Sequence, residues 1–413
     1  MNLLVINIHH LINVRKESRL LRGKELAELP VLENAYLRIE DGIIKDWGGM
    51  TSIVSRESSV EEQVIDASGG SVLPTWCDSH THLVFAASRE DEFVDKIKGV
   101  SYATIAAKGG GILNSAKKLN DASEDSLFEQ SWIRLQELIR LGTGAIEIKS
   151  GYGLTVAGEL KMLRVIKRLK EKAPIPVKAT FLGAHAYPPE FKENHNGYID
   201  LIIQKMLPEI AAQKLADYID VFCDEGFFSP EETETICRAG MQYGLKAKIH
   251  ANQLHLSGGT ETGVKLGALS VDHLETMDER AVNALAGSAT IGTLLPTAAF
   301  FLRMPFQPAR ALLAKGCAIA LASDYNPGSC PSGNMNLVVS MGCIGMKLLP
   351  EEAINAATIN GAYAMELGNE LGSITPGKRA NLIFTKPIPS IAYLPYAFGS
   401  NLIEKVMING AFI

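Results

Sequence analysis

No stretch of the 413-residue chain reaches the roughly 18 consecutive apolar residues that a membrane-spanning helix needs, so no membrane association is expected. No run of Lys and Arg marks a basic patch, and the formal net charge is -6; nucleic acid is not an expected partner. The six cysteines (Cys77, Cys223, Cys237, Cys317, Cys330, Cys343) form no CxxC pair and no regular framework. They read as reduced, buried thiols, which points to the cytoplasm. Residues 1–10 are apolar but lack a basic leader and a small-residue cleavage site, so they read as a first strand and not as a signal peptide. Solenoid repeats and low-complexity segments are missing too. Gly109-Gly110-Gly111 has no following Lys-Ser/Thr, which excludes a phosphate loop and leaves a mobile loop as the expectation.

What is present is ordinary for a soluble enzyme: 46% hydrophobic and 21% charged residues. The length fits a barrel of about 250–300 residues plus a smaller module. Up to about residue 66 the chain alternates in short β-like segments (3–8, 35–40, 43–47), with Asp41-Gly42 as a hairpin turn. The same character returns at 380–384 and 402–408, with Asn409-Gly410 as a second turn. Residues 1–68 and 369–413 are therefore expected to build one small β-sandwich around a central unit, 69–368.

In that central unit apolar runs alternate with amphipathic helical stretches, which predicts parallel βαβ units. Eight runs can be counted: 71–77, 145–148, 177–182, 219–223, 245–249, 268–271, 289–295 and 317–322. Seven are followed by polar or ionisable residues: Asp78-Ser79-His80-Thr81-His82, Lys149-Ser150, His185, Asp224-Glu225, His250, Asp272-His273 and Ser323-Asp324. The 289–295 run ends only in Pro296-Thr297. Active sites of (β/α)₈ barrels lie at the C-terminal strand ends. Five of the nine histidines fall there, and this predicts a TIM barrel with its site at that mouth.

His80-Thr81-His82 places two imidazoles on one side of an extended chain. His250 and Asp324 end the fifth and eighth runs, so all four residues point to one mouth. Three imidazoles and a carboxylate suit Zn²⁺ or Fe²⁺ better than Mg²⁺ or Ca²⁺. His185 and His273 are candidates for a base or a substrate contact. Arg89 could bind an anionic group, or pair with Glu90, Asp91 or Glu92. His9-His10, His195 and His255 read as structural or solvated, and Cys330 has no base beside it in sequence.

These residues resemble a known family. Leu73-Pro74 through Asp78-Ser79-His80-Thr81-His82, with Gly372-Ser373-Ile374 and Gly377-Lys378-Arg379-Ala380-Asn381-Leu382, is similar to the amidohydrolase superfamily, which more often has Asp where Asn381 stands. Within it the likeness is greatest to the branch that opens the ring of 4-imidazolone-5-propanoate in histidine degradation. It is carried by Thr81-His82-Leu83-Val84-Phe85, Lys149-Ser150-Gly151-Tyr152-Gly153-Leu154, Phe181-Leu182-Gly183-Ala184-His185, His250-Ala251-Asn252-Gln253-Leu254 and Ser323-Asp324-Tyr325-Asn326-Pro327-Gly328. The resemblance implies hydrolysis of a small anionic cyclic amide to N-formimidoyl-L-glutamate, one Zn²⁺ or Fe ion per subunit and a homodimer. It implies metal ligands at His80, His82, His250 and Asp324, with substrate contacts at Arg89, Tyr102, Tyr152, His185, Gln253, Asn326, Gly328 and Ser329. Arg89, Tyr102 and His185 would hold the propionate carboxylate. Position 253 is Glu in some members; Gln cannot act as a base, which moves proton transfer onto His273 and Asp324. Position 329 varies between Ser and Thr. Two rivals remain at this stage: another amidohydrolase, including a two-metal site on a carbamylated Lys149, and a barrel that serves only as a scaffold.

Overall fold

The structure is a computed structural model that describes residues 2–55, 62–100 and 110–413. The chain begins with β1 (Asn2–Ile12), β2 (Val31–Glu40), β3 (Ile43–Gly49), β4 (Gln63–Asp66) and β5 (Val72–Pro74). Next come β6 (Trp76–Asp78), β7 (Thr143–Lys149), β8 (Val177–Ala184), β9 (Tyr218–Cys223), β10 (Lys246–Ala251), β11 (Ser270–His273), β12 (Ile291–Leu294) and β13 (Ile319–Leu321). The last three are β14 (Leu382–Thr385), β15 (Ile403–Ile408) and β16 (Ala411–Phe412).

Strands from both chain ends share one sheet, in the order β16-β15-β14-β5-β1-β2-β3, with β4 beside β1. Its two tight hairpins fall where the sequence places them. Asp41 and Gly42 have φ of 48° and 79°, and Asn409 and Gly410 have 50° and 79°. Two successive left-handed residues give the turn that follows the strand twist, and Asp, Asn and Gly adopt that backbone most readily. Val5, Ile8, Leu37, Leu382 and Met407 form a core that belongs to this sheet.

The eight strands β6 to β13 run parallel in chain order. Side chains such as Ile146, Ile148, Val221, Ile249 and Val271 pack in one cluster with helix residues such as Leu135, Leu163 and Ile236. Each such burial contributes on the order of 1.5–3 kcal/mol. Two of the longest helices begin at side-chain caps: Ser123 accepts from Ser126 N before Glu124–Arg140, and Thr155 from Gly158 N before Val156–Lys172. The circle from β13 back to β6 closes just past the strand ends, at a parallel bridge between Thr81 and Tyr325. Asp324 N donates to His80 O (3.0 Å) and His82 N to Tyr325 O (2.8 Å). Closure of the barrel is thus made by the segments that carry the candidate ligands.

Two features differ from the sequence reading. The run 71–77 divides between the sheets. Val72–Pro74 pairs with β14 and β1, so the small sheet extends beyond residue 68. Thr75 N bonds Asn381 O (3.1 Å), and Trp76 N bonds Gly142 O (2.9 Å) on the barrel side. The inner face of the barrel is also not apolar: Glu147, Lys149, Asp220, Lys248 and Asp272 are all buried inside it. Among the described residues no helix is long and apolar enough to cross a membrane.

Candidate metal centre and substrate mouth

His250 lies within β10, while His80, His82 and Asp324 lie in the closing segments after β6 and β13. All four are buried, at 0–2% exposure. The Nε2 atoms of His82 and His250 face each other at 3.4 Å. Asp324 Oδ1 lies 3.5 Å from His80 Nε2 and 3.6 Å from His82 Nε2. Ligand atoms bound to one ion at roughly 2.0–2.1 Å stand about 3.4 Å apart in a tetrahedron, so these spacings fit a common divalent ion. The chemistry fits as well. His80 Nε2 is buried without a hydrogen-bond partner, and burial pushes His80, His82 and His250 well below the usual histidine range. Neutral imidazoles with free lone pairs are what a cation requires. Burial raises the Asp324 carboxyl to about 6, against the opposing pull of His273, Asn326 and Ser329. Among the described residues, His80, His82 and His250 form one possible cation-binding group and His80, His273 and Asp324 an overlapping one. They meet at one place, which supports a single divalent ion.

The Nδ1 edges of two candidate ligands lie against carboxylates. His80 Nδ1 hydrogen-bonds Asp272 Oδ2 at 2.7 Å, and His250 Nδ1 lies 2.9 Å from Asp220 Oδ2, outside hydrogen-bond geometry. Lys149 ends β7 and points into this network, donating to Glu147 (2.7 Å) and Asp220 (2.8 Å). Burial alone would lower its pKa, but Asp220, Glu147 and Asp272 outweigh it and raise it. With three carboxylates around it, Lys149 is held as an ammonium, which argues against carbamylation and against the two-metal rival.

His273 sits on the opposite flank, with ring centroids 5.4 Å from His80 and 5.2 Å from His250. Its φ is 85° and that of Leu274 is 66°, a conformation that costs of order 1–3 kcal/mol for such residues and tends to persist at functional sites. His273 Nδ1 lies 3.4 Å from Glu275 Oε1, which also accepts from Gln307 Nε2 at 2.9 Å. Burial lowers the His273 pKa, yet Glu275, Asp324 and Asp272 together raise it. Neither Glu275 nor Gln307 was found by sequence reasoning. Glu275 follows the strand end closely enough to have been a candidate; Gln307 carries no local signal.

The substrate-contact candidates divide into two groups. Arg89 anchors its Nε on Ser115 Oγ (2.9 Å), and its buried Nη2 has no partner. A Cβ on Gly328 would lie 2.3 Å from Arg89 Nη1, so the glycine makes room for the guanidinium. Both residues border a cavity of ≈ 240 Å³ with Phe93, Phe301 and Pro331. Tyr152 and His185 line the His82 side, at ring-centroid distances of 5.9 and 5.3 Å. Burial raises the Tyr152 pKa and lowers that of His185 to about 4. His185 Nδ1 donates to Gly151 O (3.0 Å), which leaves a neutral ring with Nε2 as an acceptor. A grip on the propionate carboxylate, as the resemblance implies, would need Nε2 protonated as well. Gln253 is buried beside His250 in sequence. The Asn326 amide fills its bonding positions inside its own turn: Nδ2 donates to Asp324 O and Ser329 Oγ, and Oδ1 accepts from Gly328 N and Ser329 N. It therefore shapes the turn that aims Ser329 Oγ at Asp324 Oδ2 (3.2 Å). Tyr102 lies outside the described residues, as does Gly109 of the glycine run. His195 and His255 pair with Glu232 and Asp224 at the surface. All six cysteines are free, and burial lifts Cys330 to about 12, which disfavours the thiolate a nucleophile needs.

Known proteins are similar to this chain. The amidohydrolase family profile matches residues 71–413. The chain is 60% identical over 411 residues to the imidazolonepropionase of Flavobacterium johnsoniae, covering 99% of each chain. It is 55% identical over 414 residues to that of Christiangramia forsetii, covering 100% of each. Among solved structures, E. coli guanine deaminase superposes with a TM-score of 0.74 at 15% identity, over 100% of this chain and 99% of that one, a likeness of fold. The chain belongs to the imidazolonepropionases of the amidohydrolase family.

Proposed function

We propose a division of labour among these residues for the reaction the chain performs as a member of this family, the metal-dependent hydrolysis of 4-imidazolone-5-propanoate to N-formimidoyl-L-glutamate. The observation that carries it is the convergence of His82 and His250 Nε2 and Asp324 Oδ1 at 3.4–3.6 Å with His273 beside them. His80, His82, His250 and Asp324 hold the ion; a set of three imidazoles and one carboxylate favours Zn²⁺ or Fe²⁺. When bound, such an ion lowers the pKa of water to roughly 7 and polarises a carbonyl oxygen. His273 accepts the water proton and returns one to the ring nitrogen that leaves the carbonyl carbon. Glu275 receives the Nδ1–H, which turns Nε2 toward the mouth and stabilises the imidazolium. Asp324, whose second oxygen accepts from Ser329, is the alternative acceptor for that proton. Arg89 holds the propionate through a charge-assisted fork. His185 Nε2 accepts from a ring N–H, and Tyr152 donates its phenol. Tyr102 remains a proposed contact on the family resemblance alone.

The substrate is a small anion, and neither nucleic acid nor membrane is a proposed partner. Reduced, buried thiols support a cytoplasmic location. A homodimer is proposed on the resemblance, and Phe300, Ile344, Tyr396 and Phe398, each more than half exposed, offer apolar area for it. Metal analysis of purified protein together with mass analysis of the product tests the reading. One equivalent of Zn or Fe per chain and a product heavier by one water support it; two equivalents, or release of ammonia without ring opening, contradict it.

A further inference from the structure

Five charged side chains fill the barrel on the Nδ1 side of the metal-candidate histidines, all at 0–1% exposure: Glu147, Lys149, Asp220, Lys248 and Asp272. They come from β7, β9, β10 and β11. Lys248 is engaged by Glu147 and by Ser79 O at 3.0 Å. Lys149 reaches further. Its ammonium lies 2.8 Å from Asp220 Oδ2 and 3.4 Å from Asp272 Oδ2. These are the same two oxygens that face His250 Nδ1 and His80 Nδ1. The other oxygen of each carboxylate is also fixed: Asp220 Oδ1 accepts from His250 N (3.1 Å) and Asp272 Oδ1 from Ser270 Oγ (2.5 Å).

We infer that Lys149 is a positioning residue of the metal centre, acting through Asp220 and Asp272 on the orientation of His250 and His80. The inference rests on the metal-site reading above. An imidazole binds a cation through one nitrogen only if the other carries the proton, and a carboxylate at Nδ1 enforces that tautomer. Two carboxylates buried side by side repel each other, and each would swing away. A single ammonium 2.8 Å from one and 3.4 Å from the other offsets that repulsion and holds both in place. The site is then arranged before the ion arrives, so affinity does not depend on ordering two rings during binding. A merely structural role, neutralising buried acids, predicts loss of stability without a specific effect on the ion.

Glu147 separates the two possibilities. It pairs with both lysines but its carboxylate contacts no ligand histidine among the described residues. Zn²⁺ retention by the full-length holoenzyme is measured by equilibrium competition with a chromogenic chelator, alongside the melting temperature. Lys149→Met and Asp220→Asn are each expected to weaken Zn²⁺ binding by about 10–100-fold. Glu147→Gln is expected to lower the melting temperature while Zn²⁺ affinity stays within about threefold. The inference is overturned if folded Lys149→Met retains Zn²⁺ like the parent, or if Glu147→Gln loses affinity as much as the others. Should Lys149→Met not fold, Asp220→Asn against Glu147→Gln decides on the same criterion. If the parent protein binds no Zn²⁺ at this site, the metal-centre reading itself fails.

Discussion

His273 is held by a left-handed backbone, by Glu275 at Nδ1 and, through Glu275, by Gln307. A residue kept so firmly beside the ligand cluster, but outside the 3.4–3.6 Å contacts of the other imidazoles and Asp324, suits proton transfer better than ligation. Its replacement should therefore separate chemistry from metal binding. His273→Asn is expected to lower kcat by about 10²-fold or more with metal content unchanged; loss of the metal would make it a ligand instead. Because a base must be unprotonated, activity falls as pH drops through the His273 pKa. Glu275 is the largest influence raising that pKa, so Glu275→Gln should move the acid limb of the kcat/KM profile to lower pH, and an unmoved limb would remove Glu275 from the account. Arg89→Met should raise KM by about 10–100-fold, the loss of one charge-assisted contact, with kcat little changed. Abolished kcat at unchanged KM would contradict its binding role. At this scale the candidate ligands could be picked out because strand-end position and residue type coincide. Asp272, Asp220 and Gln307 were not, because their partners lie far along the chain. His80 and Asp272 are 192 positions apart, and nothing local in the sequence marks such a pair.

Strands and turns supply the directions. The eight runs were readable because their outward side chains are apolar. Their inward side chains were not legible: Glu147 and Lys149 alternate with Ile146 and Ile148 in β7, and a run of buried residues does not say which face is polar. The Asn326-to-Ser329 turn shows how local chemistry builds the mouth. Asn326, a substrate contact by resemblance, makes the bonds that close the turn. Within that turn, Gly328→Ala would put a Cβ into the Arg89 guanidinium. The obstructing group is the far end of a flexible side chain, so the protein should fold normally while Arg89 moves. The expected result is a raised KM with a melting temperature close to that of the parent. A parental KM would mean that Arg89 is not confined by this turn.

Across the whole molecule, the small sheet and the barrel meet around Lys378. Its Nζ lies 2.8 Å from Ser18 Oγ, 2.7 Å from Leu371 O and 2.8 Å from Ser373 Oγ, with no carboxylate among them. Burial lowers its pKa from 10.5 to about 7. Between those values the unfolded chain holds a proton that the folded chain has released, so the Lys378 contribution to stability rises with pH, by about 1.4 kcal/mol per pH unit at most. Denaturation of the parent and of Lys378→Met should therefore differ increasingly from pH 7 toward pH 10; a constant difference would show that Lys378 stays protonated when folded. That the two ends of the chain pair was legible from their alternation and turns. That the barrel closes through its own ligand segments was not, because it depends on contacts between residues near 80 and near 324. The central claim is that this closure builds a metal-dependent ring-opening site. The most direct test is the loss of ultraviolet absorbance of freshly generated 4-imidazolone-5-propanoate on addition of purified protein, with and without a chelator. Rapid turnover to N-formimidoyl-L-glutamate that the chelator abolishes is the predicted result. No turnover by a sample shown to be loaded with metal, or turnover indifferent to metal removal, would contradict the account.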